Sequence, residues 1–360
     1  MKKAVIFGYT MEMGGAERAL INILNILVKH YEVDLILLKS QGILMNSIPK
    51  DVNVIQIRNN ILSYLLFRYI PFFRKRKIRK LTNTQYDLAI SFMEGRAATW
   101  LIDMKQDCKK IAWIHNDVNK FNIGISEKEI KNTYSKVDNI IVVSNHSKYS
   151  FINKYKINED KVEVIYNLIN EDEILKKSTE QKILKEKFTF INVSKMRPQK
   201  RHDRLLKAVS ILKEEGFDFQ LLLVGNGPLE KEVTNMVQDL NISDYVTLLG
   251  LKENPFPYIK SSDYFVLSSD HEGYPLSLLE SLILKTPVIS TDVSGAKEIL
   301  KDNKYGFICE VNLDSLVNSM RKVLLGKDKQ IFNIEKNLEK YKGANKGIIE
   351  QLENLFNINE

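Results

Sequence analysis

A regular alternation of short apolar runs and helical stretches constrains the fold more than any other feature of this 360-residue chain. Apolar runs with the composition of strands recur from residues 4–9 to residues 162–166, and a second series extends from residues 188–193 to 306–309. Helical stretches separate the runs in both series, which is the pattern of βαβ units with mostly parallel sheets. We therefore predict an α/β protein with two doubly wound halves and a cleft between them.

The same alternation predicts the domain boundaries. Residues 1–168 form the first half, residues 188–340 form the second, and the polar, charged residues 169–187 are interpreted as a connector. Residues 61–81 read as a basic helix, and we expect Pro71 to break or kink it, because proline cannot donate the hydrogen bond that a helix interior needs.

The composition excludes several classes of protein. A hydrophobic content of 44% and a charged content of 27% are typical of a soluble globular chain. Cys108 and Cys309 have no CxxC or histidine pattern beside them, so we expect neither a disulfide framework nor a metal site, and a reducing cytoplasmic compartment fits. The N-terminal apolar run is too short for a signal peptide, and no stretch approaches the roughly 18 apolar residues of a membrane span.

The stretch YFVLSSDHEGYPLSLLESLILKTPVIS, residues 264–290, carries the clearest chemical pattern. It predicts a strand, a loop with Glu272, a helix with Pro275 as its first residue and Glu280 inside it, and a further strand. Ligands bind at the carboxyl ends of parallel strands, and a helix start favours phosphate. Glu272 would then accept hydrogen bonds from hydroxyl groups attached to that phosphate. The alternative is a chance spacing with Glu280 on a solvated helix face.

Three cations follow the first strand of the second half, in the sequence VSKMRPQK. They are Lys195, Arg197 and Lys200. At the carboxyl end of a strand they could neutralise a diphosphate and stabilise it as a leaving group. The alternative is that they are ordinary surface charges.

Two glycine-containing turns also follow strands. The Gly-Gly turn that ends at Gly15 would let the backbone approach an anion, and a plain βα turn explains it equally. The sequence LVGNGPLE begins its turn at Gly225 but has Glu230 where a dinucleotide-binding fingerprint needs its third glycine. A dehydrogenase is therefore excluded, and either a nucleotide-lining wall or a plain turn remains.

His115 ends a predicted strand of the first half, in the sequence WIHND. A histidine there could donate a hydrogen bond to a sugar or phosphate oxygen, or take part in proton transfer. The alternative is a structural histidine.

The positive charge of the chain is concentrated in one segment. The net charge is +8, and eight Lys and Arg residues with no acid lie in the segment from Arg58 to Lys80. Leucine and aromatic residues alternate with the cations, which suits an anionic membrane surface, and a core helix with a solvated basic face is the alternative. Nucleic acid is not the expected partner, because no nucleic-acid module is present.

Together the motifs resemble the GT-B glycosyltransferases of family 4, which are retaining enzymes. The Gly-Gly turn is similar to the family's first loop, SKMRPQK to its diphosphate-binding residues, LVGNGP to its nucleotide wall and EGYPLSLLE to its E-x7-E motif. Tyr166 and the residue after it resemble the Tyr-Asn pair near the interdomain hinge. The five motifs occur in the family's order over residues 4–306. The resemblance implies two Rossmann-like domains, with a C-terminal helix at about residues 340–360 that packs back on the first.

The resemblance also implies a role for each candidate residue. Glu272 would hold hydroxyl groups of the donor sugar, Glu280 would hold those of the ribose, and His115 would contact the donor sugar from the first half. His115 and Glu272 are thus the implied catalytic residues. The diphosphate, the base and further parts of the donor would be bound by Gly15, Lys195, Lys200, Gly225, Leu251, Lys252, Gly273, Tyr274, Pro275 and Leu276.

Two residues depart from the family pattern. Lys195 stands where arginine is common, and Ser194 stands where glycine is more usual. Lysine lacks the bidentate fork of arginine, so the binding of the diphosphate is expected to differ in detail, and Arg197 could compensate.

The activity that the resemblance implies is transfer, with retention and without metal or cofactor, of a sugar from a nucleotide-sugar. A UDP-sugar is the expected donor. A lipid-linked or growing glycan on the cytoplasmic face of the membrane is the expected acceptor, as in cell-surface polysaccharide synthesis. Two alternatives stay open: a UDP-sugar epimerase of the same fold, and a catalytically inactive relative that serves as a binding protein.

Overall fold

The computed structural model describes residues 1–57, 64–65, 67, 69–120, 124–301, 305–326 and 334–358, with the backbone alone for residues 334–344. Part of the predicted basic segment, including Arg58, Leu66 and Arg68, lies outside the described residues. The chain divides into two compact units. Unit 1 consists of Met1–Ile169 and Gly347–Glu360, and unit 2 consists of Asn170–Lys346.

Unit 1 contains a seven-stranded sheet in which every neighbouring pair is parallel. Its strands are β1 (Lys2–Gly8), β2 (Tyr31–Leu37), β3 (Val52–Gln56), β4 (Leu88–Ser91), β5 (Lys109–Ile114), β6 (Asn139–Val142) and β7 (Val162–Val164). The helices between them are α1 (Gly15–Leu27), α2 (Pro71–Leu81), α3 (Arg96–Asp103), α4 (Glu127–Tyr134) and α5 (Asn145–Tyr155). The strand order is β3-β2-β1-β4-β5-β6-β7.

Unit 2 contains a six-stranded parallel sheet in the order β10-β9-β8-β11-β12-β13. These strands are β8 (Thr189–Val193), β9 (Gln220–Val224), β10 (Val246–Gly250), β11 (Tyr264–Leu267), β12 (Val288–Thr291) and β13 (Gly306–Cys309). The helices that follow unit 1 are α6 (Glu171–Lys177), α7 (His202–Glu214), α8 (Glu230–Asp239), α9 (Phe256–Ser261), α10 (Leu276–Ile283), α11 (Ser294–Leu300), α12 (Leu313–Leu324) and α13 (Ile334–Leu355). Within α13, the residues from Gly347 belong to unit 1.

Apolar side chains on both faces of each sheet explain why these runs form buried parallel strands. In unit 1, Trp100 of α3 packs edge-on against Phe7 of β1, with ring centroids 5.8 Å apart. In unit 2, Phe190 of β8 packs edge-on against Phe219, at 5.6 Å. Each of these aromatic side chains is almost fully buried, and burying one stabilises the fold by about 1.5–3 kcal/mol. The two cores fix the strand ends from which the candidate site is built.

Each sheet has one point at which the chain reverses the direction of strand addition. In unit 1 this point lies between β1 and β4, and in unit 2 it lies between β8 and β11. All the strands are parallel, so their carboxyl ends share one edge within each sheet. Ligands of open α/β sheets bind in the crevice at such a point. Ligands are therefore expected at the loops after β1 and β4 in unit 1, and at the loops after β8 and β11 in unit 2.

Two prolines differ from the prediction. Pro71 does not kink a helix but is the first residue of α2, where its missing N–H costs nothing. Pro275, expected as the first helical residue, lies one position earlier: its ψ of 98° is extended, and α10 begins at Leu276.

The predicted connector also differs from the structure. It contains the helix α6, whose N-cap Asn170 accepts a hydrogen bond from the backbone N–H of Glu173 over 3.1 Å. An Asn N-cap with acidic residues in the first turn stabilises even a short, polar helix.

Candidate active site

Four loops of unit 2 meet at the carboxyl edge of its sheet. They are residues 194–201 after β8, residues 225–229 after β9, residues 251–255 after β10 and residues 268–275 after β11. The first and last of these flank the point where strand addition reverses. The loop 194–201 carries the predicted cations, and the loop 268–275 carries Glu272.

Backbone contacts join the first two loops. Ser194 N–H donates to the Val224 carbonyl over 3.0 Å, and Met196 N–H donates to the Asn226 carbonyl over 2.8 Å. Gly225 has a φ of 136°, and a Cβ placed there would lie 2.1 Å from the Ser194 carbonyl oxygen. Only glycine permits this approach. The predicted nucleotide-wall turn thus supports the loop that carries Lys195 and Lys200.

Lys200 and Glu272 form an ion pair, with Nζ 2.5 Å from Oε1. The same carboxylate oxygen accepts a hydrogen bond from Ser269 Oγ over 2.6 Å. The side chains of Lys200 and Glu272 are 20% and 12% exposed. The structure therefore brings together a cation and a carboxylate that the sequence places 72 residues apart.

Arginines behind this pair hold its two loops together. Arg201 donates to both oxygens of Asp270, at 3.0 and 3.1 Å, and Arg204 donates to Asp270 over 2.5 Å and to the Ser268 carbonyl over 2.9 Å. Arg201 itself has a positive φ of 51°. Asp270 also donates its backbone N–H to the Gln199 carbonyl, over 2.8 Å. Charge-assisted bonds of this kind fix the positions of Lys200 and Glu272.

The helix α10 follows the acidic loop and carries Glu280. This residue is 6% exposed, so the alternative of a solvated helix position is excluded. Gly273, Pro275 and Leu276 are buried at the helix start, and Tyr274 is half-buried. A Cβ at Gly295 of α11 would lie 2.6 Å from the Gly273 carbonyl, so α11 packs directly against this turn.

The remaining predicted donor residues of unit 2 lie in the same set of loops. Lys195 is half-buried and Arg197 is exposed in the loop after β8. Leu251 is 37% exposed after β10, and Lys252 lies over the ring of Tyr258, 5.9 Å from its centroid. The structure thus places the predicted base-contacting residues beside a short helix, and Lys252 lies against an aromatic ring.

Two predicted site residues belong to unit 1. Gly15 begins α1 directly after the loop that follows β1. His115 follows β5 and is 8% exposed, with its ring 4.7 Å from that of Phe92. Burial lowers the pKa of His115 to about 4, and an interaction with the Phe92 backbone opposes this shift. The imidazole is therefore neutral near pH 7 and can exchange hydrogen bonds but supplies no charge.

Sequence reasoning missed the residues that position the site. Arg201, Arg204 and Asp270 form ion pairs that no single stretch reveals, although the sequence RHDR directly follows Lys200. Gly295 lies in the sequence VSGA shortly after β12, and a glycine after a strand is typical of a close backbone approach. Nothing in the sequence indicated which backbone Gly295 would contact.

The edge of unit 2 combines cations, a turn that begins a helix and two carboxylates that are buried or nearly so. Cations and free N–H groups bind phosphate, and carboxylates accept hydrogen bonds from hydroxyl groups. Such an edge suits a ligand with both kinds of group. Among the described residues, no group of three or more His, Cys, Asp and Glu side chains could hold a metal ion.

Solved structures share the fold over nearly the whole chain. TarM of S. aureus, crystallised with UDP, matches with a TM-score of 0.79 at 15% identity, covering 99% of this chain and 100% of TarM. HepE of Anabaena, in complex with UDP-glucose, matches with a TM-score of 0.74 at 18% identity, covering 98% and 100%. Two parallel α/β units of this kind define the GT-B class.

The sequence comparisons identify the family. Residues 13–173 match the model described as Glycosyltransferase Family 4, and residues 173–342 match the model described as Glycosyl transferases group 1. A Campylobacter jejuni relative, N-acetylgalactosamine-N,N'-diacetylbacillosaminyl-diphospho-undecaprenol 4-alpha-N-acetylgalactosaminyltransferase, is 29% identical over 344 residues, which is 91% of this chain and 92% of the relative. The chain belongs to the GT-B glycosyltransferases, with a Family 4 domain followed by a group 1 domain.

Proposed function

We propose that this glycosyltransferase moves a sugar, with retention, from a UDP-sugar to a lipid-linked or growing glycan of a cell-surface polysaccharide. The UDP and UDP-glucose bound to the structural neighbours support the choice of donor. The diphospho-undecaprenol in the name of the C. jejuni relative supports a lipid-linked acceptor. No second function is favoured by an observation of this structure.

The ion pair of Lys200 with Glu272 is the observation that carries the proposal. It sits at the switch point of unit 2, where a cation for the diphosphate lies beside a carboxylate for the sugar hydroxyls. We assign Lys195 and Lys200 to the diphosphate and the buried Glu280 to the ribose. The backbone N–H groups of Gly273, Tyr274 and Leu276 bind the sugar or the phosphate, whereas Pro275 has none to offer.

Further residues complete the proposed donor site. Leu251 and Lys252 contact the base, Gly225 supports the wall of the nucleotide, and Gly15 lets the backbone of unit 1 approach an anion. His115 contacts the donor sugar as a neutral hydrogen-bonding group, because its pKa lies well below 7.

The proposed reaction needs no base from the protein. The bond between the anomeric carbon and the diphosphate oxygen breaks, and the acceptor oxygen forms a bond to the same face of that carbon. The acceptor's proton passes to the departing phosphate. Lys195 and Lys200 stabilise the negative charge that develops on the diphosphate, so this mechanism uses neither metal nor cofactor.

The basic segment supports a membrane-bound acceptor. Phe72 and Tyr69 are 66% and 63% exposed, and Lys75, Arg76 and Lys80 are exposed on α2. Cations beside exposed aromatic rings bind anionic bilayer surfaces. No helix in the described part of the chain is long and apolar enough to cross a membrane. We propose that the exposed cations and aromatic rings of this segment attach the protein peripherally to the cytoplasmic face of the membrane.

A donor screen tests the proposed function. Purified protein is mixed with each UDP-, GDP- and ADP-sugar in turn, and thermal stabilisation and hydrolysis of the donor without acceptor are measured. We expect one UDP-sugar to raise the melting temperature and to be hydrolysed slowly. In Glu280→Ala the stabilisation should fall by at least half, because the ribose loses its acceptor, whereas Glu232→Ala on the exposed face of α8 should behave like the wild type.

Other outcomes contradict the proposal. No response to any nucleotide-sugar would argue for a binding protein without activity. Conversion of the UDP-sugar into its epimer without acceptor would argue for the epimerase.

A further inference from the structure

A buried carboxylate occupies the switch point of unit 1. Glu94 follows β4, which neighbours β1 at the place where strand addition reverses, and it is 5% exposed. It lies on the sheet edge that also carries the end of β5. Burying a carboxylate is costly unless its oxygens accept hydrogen bonds, so a residue of this kind has a specific task.

Both oxygens of Glu94 bind the segment that carries His115. Oε2 accepts the backbone N–H of His115 over 3.1 Å, and Oε1 accepts the side-chain amide of Asn116. The Glu94 carboxylate therefore binds two consecutive residues: His115 through its backbone and Asn116 through its side chain. This fixes the direction in which the chain leaves β5.

Glu94 is itself held on its backbone side. Its carbonyl accepts from the Tyr9 hydroxyl over 3.3 Å, and the same hydroxyl oxygen accepts the Ala97 N–H over 3.0 Å. The next residue, Gly95, donates its N–H to the Tyr134 hydroxyl over 3.3 Å. Tyr9 follows β1, so the contact spans the switch point. These contacts fix the backbone of Glu94, so its carboxylate can position the residues that follow β5.

The His115 imidazole, which Glu94 positions, is buried, and its ring nitrogens lack good hydrogen-bond partners. The His115 ring has only a weak hydrogen bond to the Phe92 backbone, and neither Nδ1 nor Nε2 has a partner of normal geometry among the described residues, although the residue is only 8% exposed. Buried polar atoms without a good partner are rare in folded proteins because they destabilise the folded state. Such atoms at a ligand-binding edge are explained by a partner that arrives with the substrate.

We propose that Glu94 is a positioning residue: it sets the His115 imidazole for its hydrogen bond to the donor. The inference rests on the proposed function, since it deepens the role of His115. Glu94 acts through hydrogen bonds to the His115–Asn116 segment and does not itself touch the donor.

Two substitutions separate this role from general stability. In Glu94→Ala both acceptors are lost, and we expect kcat for donor hydrolysis to fall about 10- to 100-fold, the size expected for a misplaced catalytic group. In Glu94→Gln the side-chain carbonyl can accept the His115 N–H, and a rotated Asn116 amide can accept from the new NH₂ group. We therefore expect Glu94→Gln to recover kcat to within about 5-fold of the wild type, with the donor KM changing less than kcat in both variants.

One control alters a second contact of β5, and the other removes the His115 imidazole. Asp138→Ala removes a carboxylate that accepts the backbone N–H of Lys110, over 2.7 Å, at the other end of β5. If Glu94→Ala acted only by loosening the strand, Asp138→Ala would lower kcat as well. In a His115→Ala background, Glu94→Ala should cause no further loss. An equal loss of kcat in Glu94→Ala and Glu94→Gln, or additive losses with His115→Ala, would overturn the proposal.

A readout without substrate keeps the inference separate from the proposed function. Backbone hydrogen exchange at His115 should accelerate in Glu94→Ala and stay slow in Glu94→Gln. Unchanged protection in Glu94→Ala would refute the positioning role even if the enzyme is active. If the wild type turns over no nucleotide-sugar while the exchange pattern holds, the proposed function fails and the structural link between Glu94 and His115 stands.

Discussion

At the scale of single residues, a small polar chain supports the cationic loop of unit 2. Ser194 donates to Asn192 Oδ1 over 2.7 Å and lies 3.1 Å from His202 Nε2. The single hydroxyl proton is already used, so His202 must donate from Nε2. Burial, aided by the charge of Lys200, lowers the pKa of His202 to about 4. The serine that replaces the family's usual glycine thus has a partner in a neutral histidine.

The lowered pKa predicts a stability change with pH. Between pH 6.5 and 4 the unfolded chain binds the proton of His202 and the folded chain does not, so stability is present above 6.5 and lost as the pH falls. From pH 7 to pH 5 this amounts to about 2 kcal/mol.

The His202→Gln variant isolates this contribution, because glutamine can still donate to Ser194 and does not titrate. Urea unfolding of unit 2, followed by hydrogen exchange of its peptides at pH 7 and pH 5, should show the wild type losing about 2 kcal/mol more than the variant. Parallel losses in the two proteins would contradict the assignment of a buried neutral His202.

At the scale of elements, α2 divides its cations between two tasks. Arg74 is 8% exposed, and its Nε lies 2.6 Å from the fully buried Asp103 of α3. This arginine fixes the helix to the unit, although burial still raises the pKa of Asp103. Lys75, Arg76 and Lys80 are exposed instead. The sequence could not separate these groups, because all of them lie in one basic run.

Membrane binding should follow the exposed group. A variant with Lys75, Arg76 and Lys80 changed to Gln should bind vesicles containing phosphatidylglycerol about 100-fold more weakly, since each surface cation contributes about 1 kcal/mol. Sedimentation with such vesicles measures this. The control removes the same charge from the exposed Lys120, Lys128 and Lys136 of unit 1. Equal losses in both variants would indicate general charge attraction, and no loss in either would refute membrane attachment through α2.

The pattern of elements was largely predictable and their contacts were not. Alternating apolar and helical runs predicted the parallel sheets because buried strands need apolar faces on both sides. The helix α6 was missed because its stability comes from Asn170 and local charge, without a long apolar pattern. Pro275 was placed one residue too far into its helix, since the sequence does not determine whether an N-terminal proline has helical ψ.

At the scale of the whole molecule, the chain returns to unit 1 with its last residues. Phe356 is 1% exposed, and its carbonyl accepts a hydrogen bond from the Tyr31 hydroxyl over 2.5 Å. Asn357 accepts from Lys109 Nζ over 2.9 Å through its side chain. The C-terminal residues therefore contribute to the core of the unit in which the chain begins.

This arrangement predicts that Phe356→Ala destabilises unit 1 by about 3–5 kcal/mol, the usual cost of removing a buried aromatic ring. Trp100 and Trp113, the only tryptophans of the chain, are both buried in unit 1, so their fluorescence follows its unfolding. Hydrogen exchange in unit 2 should stay unchanged. A shift of less than 1 kcal/mol, or an equal loss of protection in unit 2, would contradict the prediction.

The sequence could indicate which residues of unit 2 lie at the candidate site, but it could not indicate which of them form ion pairs with one another. Glu272, Glu280 and Lys200 follow from motifs at strand ends, because parallel strands gather their loops on one edge. Their ion pairs join positions far apart in sequence, and nothing in a single sequence indicates which cation meets which carboxylate. Glu94 was missed because the run SFMEGR contains no motif.

The pairing of Lys200 with Glu272 has a consequence for selectivity. A ligand with only a phosphate would take the lysine and leave the carboxylate with Ser269 alone. A free sugar would occupy the carboxylate and leave the lysine without its counter-ion. A molecule that carries both hydroxyl groups and a diphosphate can give each side chain a new partner: the diphosphate binds Lys200 and the hydroxyl groups bind Glu272. Under the proposed function, this ion pair favours binding of an intact nucleotide-sugar over binding of either of its parts alone.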